Sequence, residues 1–309
     1  MDKVLVTGGR GLVGNAIKSL TSEYPDLQFL FSNRTDHDLT NIDHVERLFD
    51  TVRPDYVIHT AARVGGIGRN LSSPAQQYYD NILMNSYIIH YAHQYDVEKL
   101  LAFSSVCAFP AGAETLSEDI LHDGEPYPAH YSYAYSKRMV DVQIGAYKQQ
   151  YGVNYCSVIP GNIFGENDNF NLEDGHVVPS LVHKCLIAKQ NGTPLDVWGD
   201  GSPYREFLYA KDVARACVEL LQTSGKLPQR VIVSGEQETQ IKDLVNLVCD
   251  TFDYHNVNWL TDKPNGQIRR PTNKSVFKET LPNFEYTDLK LAMKNTVEWF
   301  EEHYPNVRM

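Results

Sequence analysis

Short apolar runs, separated by longer stretches with helical periodicity, dominate the first half of the chain. Five of these runs are candidates for strands buried on both faces: residues 3–7, 27–32, 56–60, 100–104 and 155–159. The first helical pattern covers residues 15–20. Strands that alternate with helices and expose neither face are typical of a parallel sheet with helices on both sides. The sequence therefore predicts an α/β fold built on a Rossmann-like, doubly wound parallel sheet.

The pattern changes after residue 160. Residues 161–175 are rich in Asn, Asp, Gly and Glu, which is typical of a loop, and a helix is predicted over 177–190. The remaining predicted elements are strands at 196–198, 206–209 and 230–234 and helices at 210–221 and 289–303. We expect two interleaved domains, namely a Rossmann domain from 1–161 and 204–235 and a smaller C-terminal lobe from 162–203 and 236–309.

The charge balance limits the partners that this chain can have. Its 309 residues include 28 Lys and Arg against 39 Asp and Glu, a net charge of −11. Neutralising nucleic-acid phosphates requires clustered basic residues, so we expect no nucleic-acid partner. No stretch approaches the roughly 18 consecutive apolar residues that a membrane span needs, and no signal peptide is recognisable, so we expect no membrane partner.

The cysteines bear on compartment and on metal binding. They are odd in number, widely spread and without a C-x-x-C pair: Cys107, Cys156, Cys185, Cys217 and Cys249. Free thiols are typical of a reducing compartment, so we expect a cytoplasmic protein. The same spacing favours neither a disulfide framework nor a metal site.

A glycine cluster joins the first predicted strand to the first predicted helix. Gly8 permits a sharp turn, Gly11 lets backbone amides approach a pyrophosphate, and Gly14 lets the helix pack closely. Glycines at this position in a strand–turn–helix unit predict a dinucleotide site. Its candidate residues are consecutive: Gly8, Gly9, Arg10, Gly11, Leu12, Val13 and Gly14.

The end of the second predicted strand indicates which dinucleotide binds. A carboxylate there would hydrogen bond the 2′-hydroxyl of NAD, but the strand ends in Asn33 and Arg34. The cation of Arg34 suits a 2′-phosphate and hence predicts NADPH. The alternative is an ordinary surface charge, offset by Asp36 and Asp38. Asp38 and Leu39 are also candidates for contacts with the adenine.

Tyr133 and Lys137 lie four residues apart, on one face of a predicted helix. An ammonium beside a phenol lowers the pKa of the phenol, so tyrosine can exchange a proton with a carbonyl oxygen. Chance produces other pairs with this spacing. This pair stands out because it follows a strand that ends in Ser104 and Ser105, and the Ser105 hydroxyl is placed to hold the same carbonyl oxygen.

Together these features resemble the extended short-chain dehydrogenase/reductase family, and in particular its members that epimerise and reduce GDP-4-keto-6-deoxy-D-mannose. The likeness runs nearly end to end, and its motifs are AARVGG at 61–66, SSVCAFP at 104–110, DNF at 168–170, GHVVP at 175–179, WG at 198–199 and REF at 205–207. The resemblance implies NADPH as cofactor, this GDP-sugar as substrate, GDP-L-fucose as product and a homodimer paired through the helices near 75–94 and 131–150.

The resemblance also implies a role for each catalytic residue. Ser105, Tyr133 and Lys137 correspond to the reductase group, and Cys107 and His176 to the acid and base of the epimerisation. Taken alone, Cys107 fits a small core residue and His176 a structural histidine. C3 and C5 of a 4-keto sugar are both alpha to the carbonyl, so a base can remove either proton while an enolate forms at O4.

Further binding residues follow from the same resemblance. For the cofactor they are Ala61, Ala62, Ser104, Lys137, Pro160, Gly161, Asn162, Ile163 and His176. For the substrate they are Asn162, Lys184, Trp198, Arg205 and Arg270, and Arg269 is a less securely aligned candidate.

Three positions depart from the family pattern. Gly161 stands where threonine is usual, Val106 where a small hydroxyl residue is usual, and Glu166 within a segment that is usually Gly-Pro-His. Val106 and Cys107 also occupy the positions at which related dehydratases carry an acid, so dehydration is not expected. Two alternatives stay open: the same chemistry on a 3-deoxy sugar, giving GDP-L-colitose, and a non-catalytic NADP-binding sensor.

Overall fold

A six-stranded parallel sheet forms the centre of the computed structural model, which describes residues 1–65, 72–263 and 265–309. The strand order is β2-β1-β3-β4-β5-β9. These strands are β1 Asp2–Thr7, β2 Leu27–Ser32, β3 Tyr56–His59, β4 Lys99–Phe103, β5 Asn154–Pro160 and β9 Arg230–Val233. Every neighbouring pair is parallel, which confirms the predicted fold class.

Helices cover both faces of the sheet because alternate strand residues point to opposite sides. These helices are α1 Leu12–Leu20, α2 Ile42–Val52, α3 Pro74–Gln94, α4 Tyr131–Tyr151 and α6 Ala210–Gln222. Val4 and Val6 of β1 pack in the cluster with α1 and α6, whereas Leu5 packs with α2, α3 and α4. The result is a three-layer sandwich whose parallel strands all end at one edge.

The remaining elements build a second core beside that edge. The strands are β6 Asn162–Phe164, β7 Leu195–Trp198, β8 Tyr204–Tyr209, β10 Glu238–Gln240 and β11 Val257–Leu260. The helices are α5 Val177–Asn191, α7 Ile241–Phe252 and α9 Leu289–His303; a further helix, α8 Ser275–Thr280, instead packs Phe277 into the core of the central sheet. One sheet has the order β10-β8-β6, another pairs β11 with β7, and α5, α7 and α9 share one apolar cluster.

The predicted bounds agree best where the chain has strong periodicity. The predicted helix at 289–303 coincides with α9. The loop prediction for 161–175 is wrong at its start, because Asn162 pairs with Phe207 and residues 162–164 form β6. Three residues give no periodic signal, so only the tertiary pairing makes this strand. Within the described ranges, no helix is long and apolar enough to cross a membrane.

The strand β8 contributes to both cores. It pairs with β6 and β10 rather than with the central sheet. Its side chains divide accordingly, since Leu208 packs with α1 and α6 while Phe207 and Tyr209 pack in the second core. The division at residues 161/162, 203/204 and 235/236 stays a prediction.

Candidate active site

The turn after β1 presents backbone N–H groups at the strand ends. Gly8 has φ +74°, a conformation that favours glycine, and a Cβ on Gly14 would lie 2.3 Å from the Gly8 carbonyl oxygen. Gly11 caps α1, and the first intrahelical bond runs from Asn15 N to Gly11 O at 2.9 Å. The three N–H groups before Asn15 therefore lie ahead of that bond, at the positive end of the helix dipole.

A cavity of about 550 Å³ opens beside this turn. It is lined by nine of the predicted cofactor residues: Gly8, Arg10, Gly11, Asn33, Arg34, Asp38, Leu39, Ala61 and Ala62. Gly9 and Gly14 do not line it and instead allow close packing, with Gly9 N donating to Ser32 O at 2.9 Å.

Arg34 is available to a ligand in this cavity. Asp38 accepts from Thr40 N and Oγ1 at 3.0 and 2.8 Å, and Asp36 accepts from Asn33 Nδ2. Across the described ranges, Arg34 forms no ion pair with a carboxylate. Its charge does contribute to lowering the pKa of Asp38, so that carboxylate partly offsets the cation, but no direct ion pair forms between them and the guanidinium can still bind a 2′-phosphate.

A second cavity of about 440 Å³ holds the predicted catalytic residues together. Five of them line it: Ser105, Cys107, Tyr133, Lys137 and His176. The predicted cofactor residues Leu12, Val13, Ser104, Pro160, Gly161, Asn162 and Ile163 line it as well. Gly11, Thr60, Ala62, Val64 and Arg308 line both cavities, which therefore form one cleft. Of the AARVGG motif, Gly66 lies outside the described residues.

The helix α4 carries the tyrosine and lysine into this cleft. Tyr133 is 8% exposed and Lys137 1%. Lys137 Nζ donates to Phe103 O at 2.7 Å, and Ser104 Oγ donates to Lys137 O at 3.0 Å. The end of β4 thus fixes both the ammonium and the turn of helix that bears it.

The electrostatics of this pair differ from the sequence-based expectation. Burial, with a smaller contribution from Cys107, raises the pKa of Tyr133, while a hydrogen bond with Ser105 lowers it. Burial also lowers the pKa of Lys137 to about 7. The lysine interacts with a backbone carbonyl and is itself desolvated, so it does not depress the pKa of Tyr133 in this arrangement. The group that favours the phenolate here is Ser105.

Cys107 lies beside Ser105 in a short 3₁₀ helix, Val106–Ala108. The Ser105 hydroxyl caps this helix by accepting from Cys107 N at 3.1 Å. Burial raises the pKa of the Cys107 thiol, while Ser105 and the charge of Arg270 oppose that shift. The thiol therefore stays protonated at neutral pH and can act as an acid.

His176 faces the same cavity from the N terminus of α5. The residue is exposed, but desolvation by the protein atoms around its imidazole lowers its pKa, the charge of Arg308 adds to this effect, and Asp174 opposes it. The imidazole is therefore mostly neutral near pH 7 and can accept a proton.

The predicted substrate residues lie further from the glycine turn. Arg205 and Arg270 are partly buried, and besides burial the charge of Arg270 lowers the pKa of Arg205. Arg270 Nη2 donates to Pro110 O at 3.1 Å, and its buried Nε has no partner among the described residues. Arg269 instead pairs with Glu238. Of the predicted substrate residues Asn162 lines the second cavity, whereas Lys184, Trp198, Arg205 and Arg270 line neither; Trp198 is 62% exposed at the end of β7.

Neighbouring side chains explain two departures from the family pattern. A Cβ on Gly161 would lie 2.4 Å from Ser234 Oγ, and that hydroxyl donates to buried Glu206 at 2.8 Å. Glu166 accepts from Tyr209 at 2.8 Å and pairs with Lys211 at 2.9 Å. Nothing in the structure explains Val106.

Sequence reasoning missed two groups next to the cleft. His59 at the end of β3 hydrogen bonds Thr7 Oγ1 at 2.7 Å and Asn85 Oδ1 at 3.0 Å, which links β1 and β3 to α3. Arg308 reaches the cleft from the far end of the chain. Neither residue belongs to a local motif, so no spacing signal could have found it.

Comparison with known proteins shows the family to which this chain belongs. Residues 4–234 match the model of the NAD dependent epimerase/dehydratase family. The chain belongs to that family. The match spans β1 to the end of β9, and therefore the glycine turn, α4 and the segments that carry the five predicted catalytic residues.

Proteins named as GDP-L-fucose synthases are similar to the chain over its whole length. It is 34% identical to a probable GDP-L-fucose synthase of Drosophila melanogaster, with 100% of both chains covered. A GDP-L-fucose synthetase of Naegleria fowleri bound to NADP is 36% identical with a TM-score of 0.93, covering 100% of this chain and 95% of that one. A GDP-L-colitose synthase of Yersinia pseudotuberculosis is 27% identical over 96% of this chain and 97% of its own. The predicted family resemblance is confirmed.

Proposed function

We propose that this protein catalyses the NADPH-dependent 3,5-epimerisation and 4-reduction of GDP-4-keto-6-deoxy-D-mannose to GDP-L-fucose. The observation that carries the proposal is the convergence of an acid, a base and a Ser–Tyr–Lys group on one cavity next to a dinucleotide turn. The greater identity to fucose than to colitose synthases favours this product.

The cleft fits NADPH on three counts. The close approach of Gly8 and Gly14 leaves room for a pyrophosphate, and the N terminus of α1 favours an anion. Arg34 lines the cavity of about 550 Å³ and forms no ion pair with a described carboxylate. When bound, this cofactor supplies the hydride that reaches C4 of the sugar. Lys137 is anchored at the end of β4 by the Phe103 carbonyl and lines the same cavity as Tyr133.

Epimerisation uses the neutral imidazole and the protonated thiol. His176 removes the proton at C3 or C5, and the resulting enolate carries its charge on O4. Cys107 returns a proton to the opposite face of the same carbon, which inverts the centre. The step leaves His176 protonated and Cys107 as a thiolate, so the pair exchanges protons with water before the second centre is inverted. Desolvation favours both starting states, since it lowers the pKa of the imidazole and raises that of the thiol.

Reduction uses the group at the start of α4. Ser105 donates a hydrogen bond to O4, and Tyr133 transfers its proton there as the hydride reaches C4. The raised pKa of Tyr133, caused mainly by burial, means that the phenol is protonated and ready to act as this acid. The same oxygen carries charge in both half-reactions: Ser105 donates to it in both, whereas Tyr133 is needed only for the proton of the reduction.

The GDP moiety needs cations, although the chain has a net charge of −11. Arg205 and Arg270 lie close enough for their charges to interact, and neither forms an ion pair with a described carboxylate. Burying two like charges costs free energy that a diphosphate between them would offset. Asn162, Lys184 and Trp198 complete the proposed substrate site.

We further propose a homodimer that pairs α3 and α4 with their copies in a partner. Exposed apolar and aromatic side chains lie on these two helices, among them Tyr79, Tyr131 and Val142. Val142→Glu should give a monomer at micromolar concentration by light scattering, whereas Leu291→Glu, an equally exposed leucine on α9, should stay dimeric. A monomeric wild-type protein would refute this pairing.

The free cysteines support a cytoplasmic location.

The reaction is tested with purified protein, GDP-4-keto-6-deoxy-D-mannose and NADPH. We expect loss of nicotinamide absorbance and GDP-L-fucose as the product by NMR. Oxidation of NADPH only with the 3-deoxy substrate would instead indicate GDP-L-colitose synthesis. NADPH binding without turnover of either sugar would favour the non-catalytic sensor.

A further inference from the structure

The segment after α9 returns to the cofactor cleft. Tyr304 and Val307 pack against the apolar cluster of the second core. Phe170 N donates to Arg308 O at 2.9 Å, which ties the segment to the loop that leads to His176. Packing on one side and this hydrogen bond on the other fix the backbone of Arg308 at the cleft.

Arg308 lies where the two cavities join. It lines both of them, and among the described residues it shares this position with Gly11, Thr60, Ala62 and Val64. Gly11 is the residue that caps α1. A dinucleotide that extends from one cavity into the other crosses this junction with the pyrophosphate that joins its two halves.

The charge of Arg308 is not cancelled by a nearby carboxylate. The described residues include no ion-pair partner for it. The charge of Arg308 does act on the carboxyl of Asp168, which is 3% exposed. One oxygen of this carboxyl accepts from Asn169 N at 2.7 Å, and the other, Oδ2, has no hydrogen-bond partner among the described residues. Burial raises the pKa of Asp168 to about 7 although Asn169 and Arg308 act against that shift, so this carboxyl is only partly ionised near neutral pH.

We propose that Arg308 binds the cofactor pyrophosphate together with the glycine turn, so that the 304–308 segment forms part of the NADPH site. The inference rests on the proposed use of NADPH. A guanidinium and a helix N terminus bind phosphate oxygens in complementary ways, the first through a fork of N–H donors with a full charge and the second through backbone N–H groups.

The proposal is tested by NADPH binding to the full chain, measured by titration calorimetry without any sugar. We expect Arg308→Ala to weaken NADPH binding about tenfold or more and Arg308→Lys to recover part of the loss, because lysine keeps the charge but not the fork. The matched control is Lys294→Ala, which removes an exposed cation from α9 and should change the affinity less than twofold.

A second probe locates the contact. Adenosine 2′-phosphate has no pyrophosphate, so its affinity should be the same in wild type and Arg308→Ala, while Arg34→Ala should weaken both ligands. Unchanged NADPH affinity in Arg308→Ala, or an equal loss for both ligands, would overturn the proposal. Failure of the proposed function appears in a different arm, as wild-type protein that does not bind NADPH or that binds it and reduces no sugar.

Discussion

The cofactor cleft and the substrate site of this protein are built in different ways. The glycine turn is contiguous, residues 8–14: five of them line the cleft, Gly9 and Gly14 allow the close packing behind it, and the turn acts through backbone N–H groups and the absence of side chains. The proposed substrate residues come from separate elements, with Lys184 on α5, Trp198 on β7, Arg205 on β8 and Arg270 in a loop. A contiguous site can be recognised in a sequence, whereas a dispersed site needs the fold to assemble it.

The largest expected effect comes from filling the space at the glycine turn. In Gly14→Val the new Cβ would lie 2.3 Å from Gly8 O, which cannot move without opening the turn. We expect NADPH binding by calorimetry to fall by about a hundredfold or more, with a lower melting temperature. Gly112→Val is the control, because nothing lies within 4 Å of a Cβ there. Equal binding in the two variants would show that the close approach is not needed.

A loss almost as large is expected at the acid of the epimerisation. Cys107→Ser keeps the shape but replaces the thiol with a hydroxyl of much higher pKa. Deuterium incorporation at C3 and C5 from deuterated water should fall by about 10²–10⁴-fold, the usual contribution of general acid–base catalysis. NADPH affinity should be unchanged, which separates this loss from a folding defect. Exchange at the wild-type rate would remove Cys107 from the mechanism.

Arg269 and Arg270 are neighbours in sequence but differ in burial and in partners, so replacing each in turn tests which one belongs to the dispersed substrate site. Arg270 is partly buried and its charge acts on that of Arg205, whereas Arg269 is exposed and paired with Glu238. We expect Arg270→Ala to raise the KM for the GDP-sugar about tenfold and Arg269→Ala to change it less than twofold. The reverse order would place the diphosphate elsewhere.

The smallest expected effect concerns the departure at Gly161. In Gly161→Thr the Cβ would meet Ser234 Oγ at 2.4 Å, so we expect a loss of about 1–3 kcal/mol in the free energy of unfolding, measured with urea. Gly225→Thr, where nothing lies within 4 Å, should cost less. Adding Ser234→Ala to Gly161→Thr should recover part of the loss. Unchanged stability would mean that Ser234 and Glu206 rearrange freely.

Periodicity and local motifs predict the central sheet and its turn because both depend on residues close in sequence. The helix at 289–303 and the placement of Tyr133 beside Ser105 follow from such signals. The strand β6 is too short to show a period, and it exists only because β8 lies next to it. Arg308 and Gly11 line the same cavity only because the fold brings the end of the chain back to the glycine turn. The raised pKa of Tyr133 could not be predicted either, because it depends on burial and on the hydrogen bond that directs Lys137 Nζ to the Phe103 carbonyl.

The central claim is that one cavity holds two separable reactions, epimerisation by Cys107 and His176 and reduction through Tyr133. The most direct test is Tyr133→Phe with GDP-4-keto-6-deoxy-D-mannose and NADPH in deuterated water. We predict deuterium at C3 and C5 at close to the wild-type rate, while NADPH oxidation falls by about 10²-fold or more. Loss of both activities together, or NADPH oxidation at the wild-type rate, would contradict the account.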